Sequence, residues 1–183
     1  FQFIEPVLKE VLTVQNNLTL VDHGAGKSYL GFILYDLFVK SQKVENQSSF
    51  FAIETREDLV TKTQNLANKL GFRHFRPLHL SVADSMSSDK IPETVDVVTA
   101  LHACDTATDD AINFTLKKNA KNIILVPCCQ AEVATVLKKS KTKLNLGSKT
   151  ELFRHSLHTR EFGSHLTNVL RCLQLESFGY QVT

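Results

Sequence analysis

Short apolar runs alternate with longer amphipathic segments along most of the chain, and this alternation limits the possible folds more than any other feature. Uninterrupted apolar strands are typical of a parallel sheet that is buried on both faces. Helical crossovers between such strands are right-handed, which places helices on both sides of the sheet. We therefore expect an α/β fold with a doubly wound, mostly parallel sheet. The predicted strands are 18–21, 49–54, 77–83, 95–103 and 122–129.

The amphipathic segments between these strands have helical spacing of their apolar residues. In the first of them, apolar side chains recur at i, i+3 and i+4, the pattern of a helix with one buried face. Gly71 stands where a helix C-terminus favours glycine, and Thr106 with Asp109 fits a helix start signal. The predicted helices are 27–40, 56–71, 106–119, 130–139 and 165–178.

Length and composition favour one globular domain over the whole of residues 1–183. Apolar residues make up 43% and charged residues 22% of the chain, as in ordinary soluble proteins. The net charge of +2 is too small to indicate nucleic-acid binding by itself. No apolar run reaches the length of a membrane span. Because the chain begins with Phe1, we expect a fragment of a longer protein.

The four cysteines give a poor framework for structural disulfides, since two of them are adjacent. A reducing compartment is the default for such a chain, so we expect a cytoplasmic location. Nothing in the sequence indicates an oligomeric state.

A glycine loop, "VDHGAGKSYLGF" (21–32), follows the first predicted strand. Gly-Lys-Ser suggests a phosphate loop, but that motif needs its first glycine at position 21, which is Val21. A dinucleotide fingerprint needs glycine at position 29, which is Tyr29, although the acid Glu54 leaves a nicotinamide cofactor open. A tight turn that binds no ligand is a further alternative, since short glycine motifs have many false positives.

S-adenosylmethionine is the ligand that the loop favours. Asp22 would repel a pyrophosphate but suits a ligand that carries an ammonium group. Gly24 and Gly26 allow the ligand to approach the backbone closely. Glu54 ends the second strand, where a carboxylate can accept hydrogen bonds from both ribose hydroxyls. The loop is similar to the methyltransferase pattern acid-x-Gly-x-Gly-x-Gly, with Ser28 in place of the last glycine.

Polar residues also follow the third and fourth predicted strands. We expect Ser81 and Val82 beside the adenine, although a plain turn would explain them equally well. His102 and Asp105 follow the fourth strand in "LHACDTATDDAI" (101–112). His102 is a candidate cofactor ligand and a candidate base, and Asp105 is a candidate for orienting the substrate. Helix capping is an equally good explanation of Asp105.

Adjacent cysteines follow the fifth predicted strand in "VPCCQAE" (126–132). Cys128 follows a proline, as does the thiolate that attacks the base in cytosine C5 methylation, so it is a candidate nucleophile. A buried, unreactive cysteine is the simplest alternative. Irregular spacing and the lack of a C-x-x-C pair argue against metal binding, and we expect no metal.

A basic, histidine-rich segment follows at 153–168, "FRHSLHTREFGSHLTN". Three histidines and two arginines in so short a stretch suit a phosphate-rich or acidic substrate. We expect this segment to form a substrate loop, while a solvated basic turn is the alternative.

Three segments, "VDHGAGKSYLGF", "ALHACDTATDDAI" and "VPCCQAE", together resemble a family of bacterial class I methyltransferase domains. The broader group of that family includes a tRNA ribose methyltransferase. The resemblance spans residues 11 to 183 and implies a Rossmann-like fold that binds S-adenosylmethionine, with RNA as the preferred acceptor by relationship. The implied cofactor residues are Asp22, Gly24, Gly26, Glu54, Ser81, Val82 and His102.

The end of the chain differs from the usual pattern of this fold, in which an antiparallel β-hairpin completes the sheet. "YQVT" (180–183) would begin such a hairpin, so we expect the hairpin to be missing and a sheet edge to be exposed. Two other functions remain open for the domain. One is a non-catalytic scaffold that binds RNA or protein, and the other is an NAD-dependent oxidoreductase.

Overall fold

Five parallel strands form one sheet, in the order β3-β2-β1-β4-β5. The computed structural model describes residues 1–101, 103, 106–128, 130–140 and 155–183. All four strand pairs are parallel, which confirms the predicted α/β class. The strands are β1 (Leu18–His23), β2 (Ser48–Glu54), β3 (Phe75–His79), β4 (Val97–Leu101) and β5 (Asn122–Val126).

Seven α-helices accompany the sheet in the described part of the chain. The second of them continues into a π-helical turn over Tyr35–Lys40, and a 3-10 turn over Glu45–Gln47 precedes β2. The described helices include none that is both long and apolar enough to cross a membrane. They are α1 (Ile4–Val14), α2 (Tyr29–Leu34), α3 (Glu57–Leu70), α4 (Val82–Ser85), α5 (Thr106–Lys117), α6 (Glu132–Ser140) and α7 (Ser156–Ser177).

The core lies on both faces of the sheet, because successive strand residues point to opposite sides. On one face, Leu18 and Leu20 of β1 pack with α1, α2, α3 and the aromatic rings of Tyr35 and Phe75. On the other face, Val21 packs with α4 and with Phe114 of α5. Helices on both faces of an all-parallel sheet make the fold doubly wound.

The strand order reverses between β1 and β4, which are neighbours although two strands separate them along the chain. Ligands of doubly wound sheets bind at the carboxyl ends of the strands beside such a reversal. The glycine loop follows β1 directly, so the fold places it at this position. β5 forms one edge of the sheet, and residues 180–183 form no strand. The described chain therefore contains no C-terminal hairpin, and the strand suggested for "YQVT" is wrong.

Helices α6 and α7 pack against each other as an antiparallel pair. Gly163 lies so close to Ala134 that a Cβ on the glycine would come within 2.8 Å of the Ala134 backbone nitrogen. Gln130, just before α6, donates a hydrogen bond from Nε2 to Asn168 Oδ1 at 2.8 Å. Residues 156–168 belong to helix α7. The expected substrate loop over 153–168 is therefore wrong for the residues of that segment that the structure describes.

A two-bond ion pair attaches α7 to the first turn of α5. Arg171 Nε and Nη2 donate to the two carboxylate oxygens of Asp109, each at 2.7 Å. The arginine side chain is buried, with 7% of its surface exposed, whereas Asp109 is 41% exposed. This pair therefore joins the middle of α7 to the start of α5.

Replacing Asp109 with asparagine is expected to lower the free energy of unfolding by about 1.5 kcal/mol. The change removes one of the two charge-assisted bonds to a buried guanidinium, and such bonds contribute roughly 1.5–3 kcal/mol. Urea unfolding measures the loss. Asp110→Asn is the matched control, since it removes the same charge from the neighbouring position. Equal stability of the two variants would contradict the role given to the ion pair.

The predicted element boundaries differ most from the structure at the end of the third strand and at the start of the last helix. The third strand ends at His79 rather than at residue 83, because Ser81 Oγ accepts a hydrogen bond from the Asp84 backbone N–H and caps α4. The last helix begins at Ser156 rather than at residue 165. Its first half packs through small residues such as Gly163, which leaves no periodic apolar pattern in the sequence.

Candidate functional site

The glycine loop reverses the chain through three residues with left-handed backbone angles. Gly24, Gly26 and Ser28 have φ of 62°, 58° and 54°. Glycine adopts this conformation without strain, whereas a residue with a Cβ does so at a cost. A Cβ at Gly24 would meet no atom within 4 Å, and one at Gly26 would meet only the Gly24 carbonyl oxygen, at 4.0 Å. The outer side of the loop is therefore open to a ligand.

Two hydrogen bonds attach this loop to the carboxyl end of β2. The Ala25 backbone N–H donates to the Ile53 carbonyl at 3.0 Å. The Gly26 backbone N–H donates to Glu54 Oε2 at 2.8 Å. The other carboxylate oxygen, Oε1, accepts from the Arg56 backbone N–H at 3.0 Å. The fold thus brings together the glycines and the acid that the sequence analysis assigned to one site.

Asp22 lies beneath the loop, at the end of β1 and next to β4. It is only 3% exposed, and Thr99 Oγ1 donates to its Oδ1 at 2.6 Å. Burial raises the pKa of Asp22 to about 7, and the hydrogen bond from Thr99 opposes this rise in part. The carboxyl therefore changes charge near neutral pH.

His23 follows Asp22 and points to the opposite face of the sheet, where its ring meets Phe114 edge-on at 4.4 Å. It is 1% exposed, and neither ring nitrogen has a hydrogen-bond partner among the described atoms. Burial lowers the pKa of His23 to about 3. Sequence reasoning missed both His23 and Thr99, although each is a polar residue within an apolar strand.

Ser28 occupies the place of the third glycine in the methyltransferase pattern, and its side chain points into the protein. It is 1% exposed, and its Oγ has no hydrogen-bond partner among the described atoms. A Cβ on Gly31 would lie 2.5 Å from this Oγ. Only the backbone of Ser28 therefore faces the side of the loop that is open to a ligand.

Replacing Ser28 with glycine is expected to raise the free energy of unfolding by about 1 kcal/mol. The change relieves a left-handed backbone angle on a residue with a Cβ and removes a buried, unpaired hydroxyl. The greater backbone freedom of glycine in the unfolded chain offsets part of the gain. Urea unfolding compares it with Ser28→Ala, which removes the hydroxyl but keeps the Cβ. If the glycine variant is less stable than the alanine variant, the left-handed backbone angle at position 28 is not strained.

The tip that follows β3 lies near the loop, because the Leu80 backbone N–H donates to the Glu54 carbonyl at 3.2 Å. Ser81 and Val82 are half-buried there. Ser81 Oγ donates to Asp84 Oδ2 at 2.6 Å in addition to capping α4. Both hydrogen bonds of the Ser81 hydroxyl are thus made with Asp84. The position of Ser81 and Val82 beside an adenine stays a prediction.

The candidate catalytic residues are only partly within the described structure. His102 and Asp105 lie outside the described residues. Cys128 is described, follows β5 and is exposed, so the alternative of a buried, unreactive cysteine does not hold for it. Within the ranges that the structure describes, no group of three or more His, Cys, Asp or Glu residues could hold a metal ion.

A comparison with known protein families gives a match over most of the chain. Residues 1–136 match a family model described as a methyltransferase domain. No curated protein sequence matches the chain.

Three of the similar solved structures are named as methyltransferases, and their sequence identity to this chain is low. An rRNA methylase from Streptococcus thermophilus is 13% identical, with TM-score 0.47 over 71% of this chain and 72% of that one. Precorrin-6y C5,15-methyltransferase from Geobacter metallireducens is 18% identical, with TM-score 0.49 over 66% and 58%. TrmK from M. capricolum, in complex with S-adenosylhomocysteine, is 14% identical, with TM-score 0.43 over 69% and 52%.

The chain thus spans about half to three quarters of the length of these structures. The family model covers all five strands of the sheet, from α1 through β5, and includes the glycine loop and Glu54. The chain belongs to the methyltransferase domain family.

Proposed function

We propose that this domain binds S-adenosylmethionine and transfers its methyl group to RNA. The observation that carries the proposal is the hydrogen bond from the Gly26 backbone N–H to Glu54 Oε2. It joins the glycine loop to the acid at the end of β2, beside the reversal of strand order where doubly wound sheets bind ligands.

The residues at this edge fit the cofactor in shape and in hydrogen-bonding capacity. Open space outside Gly24 and Gly26 lets the methionine portion approach the backbone. Each oxygen of a carboxylate has two acceptor positions, so Glu54 can accept from ribose hydroxyls while it keeps its backbone partners. Ser81, Val82 and His102 are proposed for the adenine side, and Ser28 contributes through its backbone.

Asp22 is proposed to balance the positive charge of the cofactor. A nearby cation favours the ionised form of a carboxyl group, so a bound ammonium or sulfonium would lower the pKa of Asp22 from about 7. By linkage, cofactor affinity should rise as the pH rises towards 7 and Asp22 loses its proton. Thr99 holds the carboxylate in place in either state.

When bound, S-adenosylmethionine supplies an activated methyl group on a sulfonium. The protein then needs mainly to position the acceptor in line with it. His102 and Asp105 are proposed as bases for a hydroxyl or a protonated nitrogen acceptor. Cys128 is the proposed nucleophile if the acceptor is a cytosine C5 carbon, and its exposure after β5 supports access to a base.

Profiles of RNA modification in cells with and without the gene test the proposed acceptor. The proposal predicts that one methylated nucleotide disappears in the absence of the gene. It also predicts that purified protein with tritiated S-adenosylmethionine restores the label to RNA from those cells. An unchanged profile together with labelling of protein would reject RNA as the acceptor and leave methyl transfer in place.

A further inference from the structure

Helices α6 and α7 extend beyond the carboxyl ends of the strands, which is the side of the sheet that carries the candidate cofactor site. Gln130 and Asn168 meet just after β5 ends, and Arg171 reaches the start of α5. From there α7 runs back along β5, until the Tyr180 hydroxyl donates to the Ala120 carbonyl before β5 begins. The second half of α7 thus runs beside β5 from one end of that strand to the other. The first half of α7 lies past the carboxyl ends of the strands.

Residues 132–140 and 155–168 form this projection, which we call the helical arm. At a rise of 1.5 Å per residue, the arm extends about 20 Å beyond Asn168. Within the described chain, α6 packs mainly against α7, and most side chains towards the tip of the arm are exposed. Because the tip of the arm contributes little to the hydrophobic core, its exposed side chains are available for binding.

Positive charge is concentrated in this part of the sequence. Residues 138–160 contain seven of the chain's 21 lysines and arginines but only one of its 19 acidic residues. The remainder of the chain is therefore net negative, although the total charge is slightly positive. On the described helices, Lys138, Lys139 and Arg160 are exposed at the tip. Two exposed acids also lie on the arm, Glu132 at the start of α6 and Glu161 next to Arg160.

Exposed imidazole rings accompany these charges. His155 and His158 lie one turn apart, with ring centroids 5.7 Å apart and ring planes at 89°, and both are exposed. His165 lies further along the same helix and is also exposed. Cationic side chains with interleaved flat rings suit a single nucleic-acid strand, whose phosphates need positive charge and whose bases need stacking partners.

We propose that the helical arm is the docking surface for the RNA acceptor, holding its phosphates with Lys138, Lys139 and Arg160 and stacking bases on His155 and His158. This inference rests on the proposed function, because it takes RNA as the acceptor. The base of the arm and the glycine loop both lie at the carboxyl ends of the strands, so RNA held by the arm lies on the side of the sheet where the methyl group would be delivered. An anionic membrane surface would match the charge but offers no such acceptor.

Fluorescence anisotropy of a labelled 20-nucleotide single-stranded RNA, titrated at several KCl concentrations, tests this surface. The variant is Lys138→Gln/Lys139→Gln/Arg160→Gln. We expect about tenfold weaker binding at low salt and a shallower salt slope, by about 2 in log–log units, because three phosphate contacts are lost. The control Lys62→Gln/Lys69→Gln/Arg73→Gln removes the same charge from exposed positions on and after α3 and should bind like wild type.

A second variant separates stacking from charge. His155→Ala/His158→Ala is expected to weaken RNA binding severalfold with an unchanged salt slope, since base stacking releases no counterions. The proposal is overturned if wild type binds no RNA, if the arm and control variants bind alike, or if the protein prefers phosphatidylglycerol vesicles to RNA.

Titration with S-adenosylhomocysteine distinguishes failure of the arm from failure of the proposed function. The arm variants should bind this product as wild type does, because none of their changes lies at the glycine loop. Normal cofactor binding with RNA binding indifferent to the arm would overturn the docking surface alone. Loss of cofactor binding in wild type would overturn the proposed function instead.

Discussion

Replacing Glu54 with glutamine is expected to weaken the binding of S-adenosylhomocysteine about 100-fold, or roughly 2.7 kcal/mol. In the structure, both carboxylate oxygens accept from backbone N–H groups, one from Gly26 and the other from Arg56. A glutamine side chain has only one acceptor oxygen, so its amide N–H₂ group must face one of these donors. Either the Gly26 or the Arg56 N–H therefore loses its acceptor, and the ribose hydroxyls lose a charged acceptor.

Isothermal titration calorimetry measures this loss, with far-UV circular dichroism to show that the variant is folded. Glu57→Gln is the matched control, because Glu57 lies in the first turn of α3 and is exposed. That control should change the affinity by less than about twofold. If Glu54→Gln binds as tightly as wild type, the acid at the end of β2 does not contact the cofactor.

Substitution of Asp22 or His23 is expected to change the pH dependence of stability in opposite directions. Burial raises the pKa of Asp22 to about 7 from 3.8 and lowers the pKa of His23 to about 3 from 6.5. Asp22 therefore contributes stability that is present below pH 3.8 and lost as the pH rises through 7. His23 contributes stability that is present above pH 6.5 and lost as the pH falls towards 3.

Each effect amounts to about 1.4 kcal/mol per pH unit, or between about 4 and 5 kcal/mol over its full range. In wild type the two slopes oppose each other between about pH 4 and 6.5. The free energy of unfolding of His23→Leu should increase steadily relative to that of wild type as the pH falls below 6.5. Asp22→Asn keeps an acceptor for Thr99. Its free energy of unfolding should increase relative to that of wild type as the pH rises from 4 to 7.

Urea unfolding at pH 4.5, 5.5, 6.5 and 7.5 tests both expectations without cofactor. His74→Leu is the control for the loss of an imidazole as such, since that ring is only half-buried. Parallel curves for wild type, His23→Leu and Asp22→Asn would show that neither buried group changes its proton affinity on folding.

The sheet could be predicted from the sequence because its information is local. Four of the five strands, all but β3, contain a short and mostly apolar run. Glycines stand where the backbone needs a left-handed angle, as at Gly24, Gly26 and Gly71. The meeting of the glycine loop with Glu54 also followed, since consecutive parallel strands end at the same edge. The parallel order of the strands agrees with that prediction.

Features that depend on tertiary contacts were not predictable in the same way. The first half of α7 packs through Gly163 on Ala134, a contact between small side chains that leaves no apolar stripe to detect. The buried states of Asp22 and His23 depend on what covers the strand end, which sequence spacing does not show. Ser28 appeared as a gap in the glycine pattern, yet its side chain lies inside the protein.

Calorimetric titration of the wild-type protein with S-adenosylhomocysteine tests the central claim most directly. We expect binding of one molecule per chain in the micromolar range, with affinity that increases between pH 6 and 7.5 as Asp22 ionises, and no binding of NADH. A folded protein that binds NADH but not S-adenosylhomocysteine, or neither of the two, would contradict the assignment of the glycine loop and Glu54 to this cofactor.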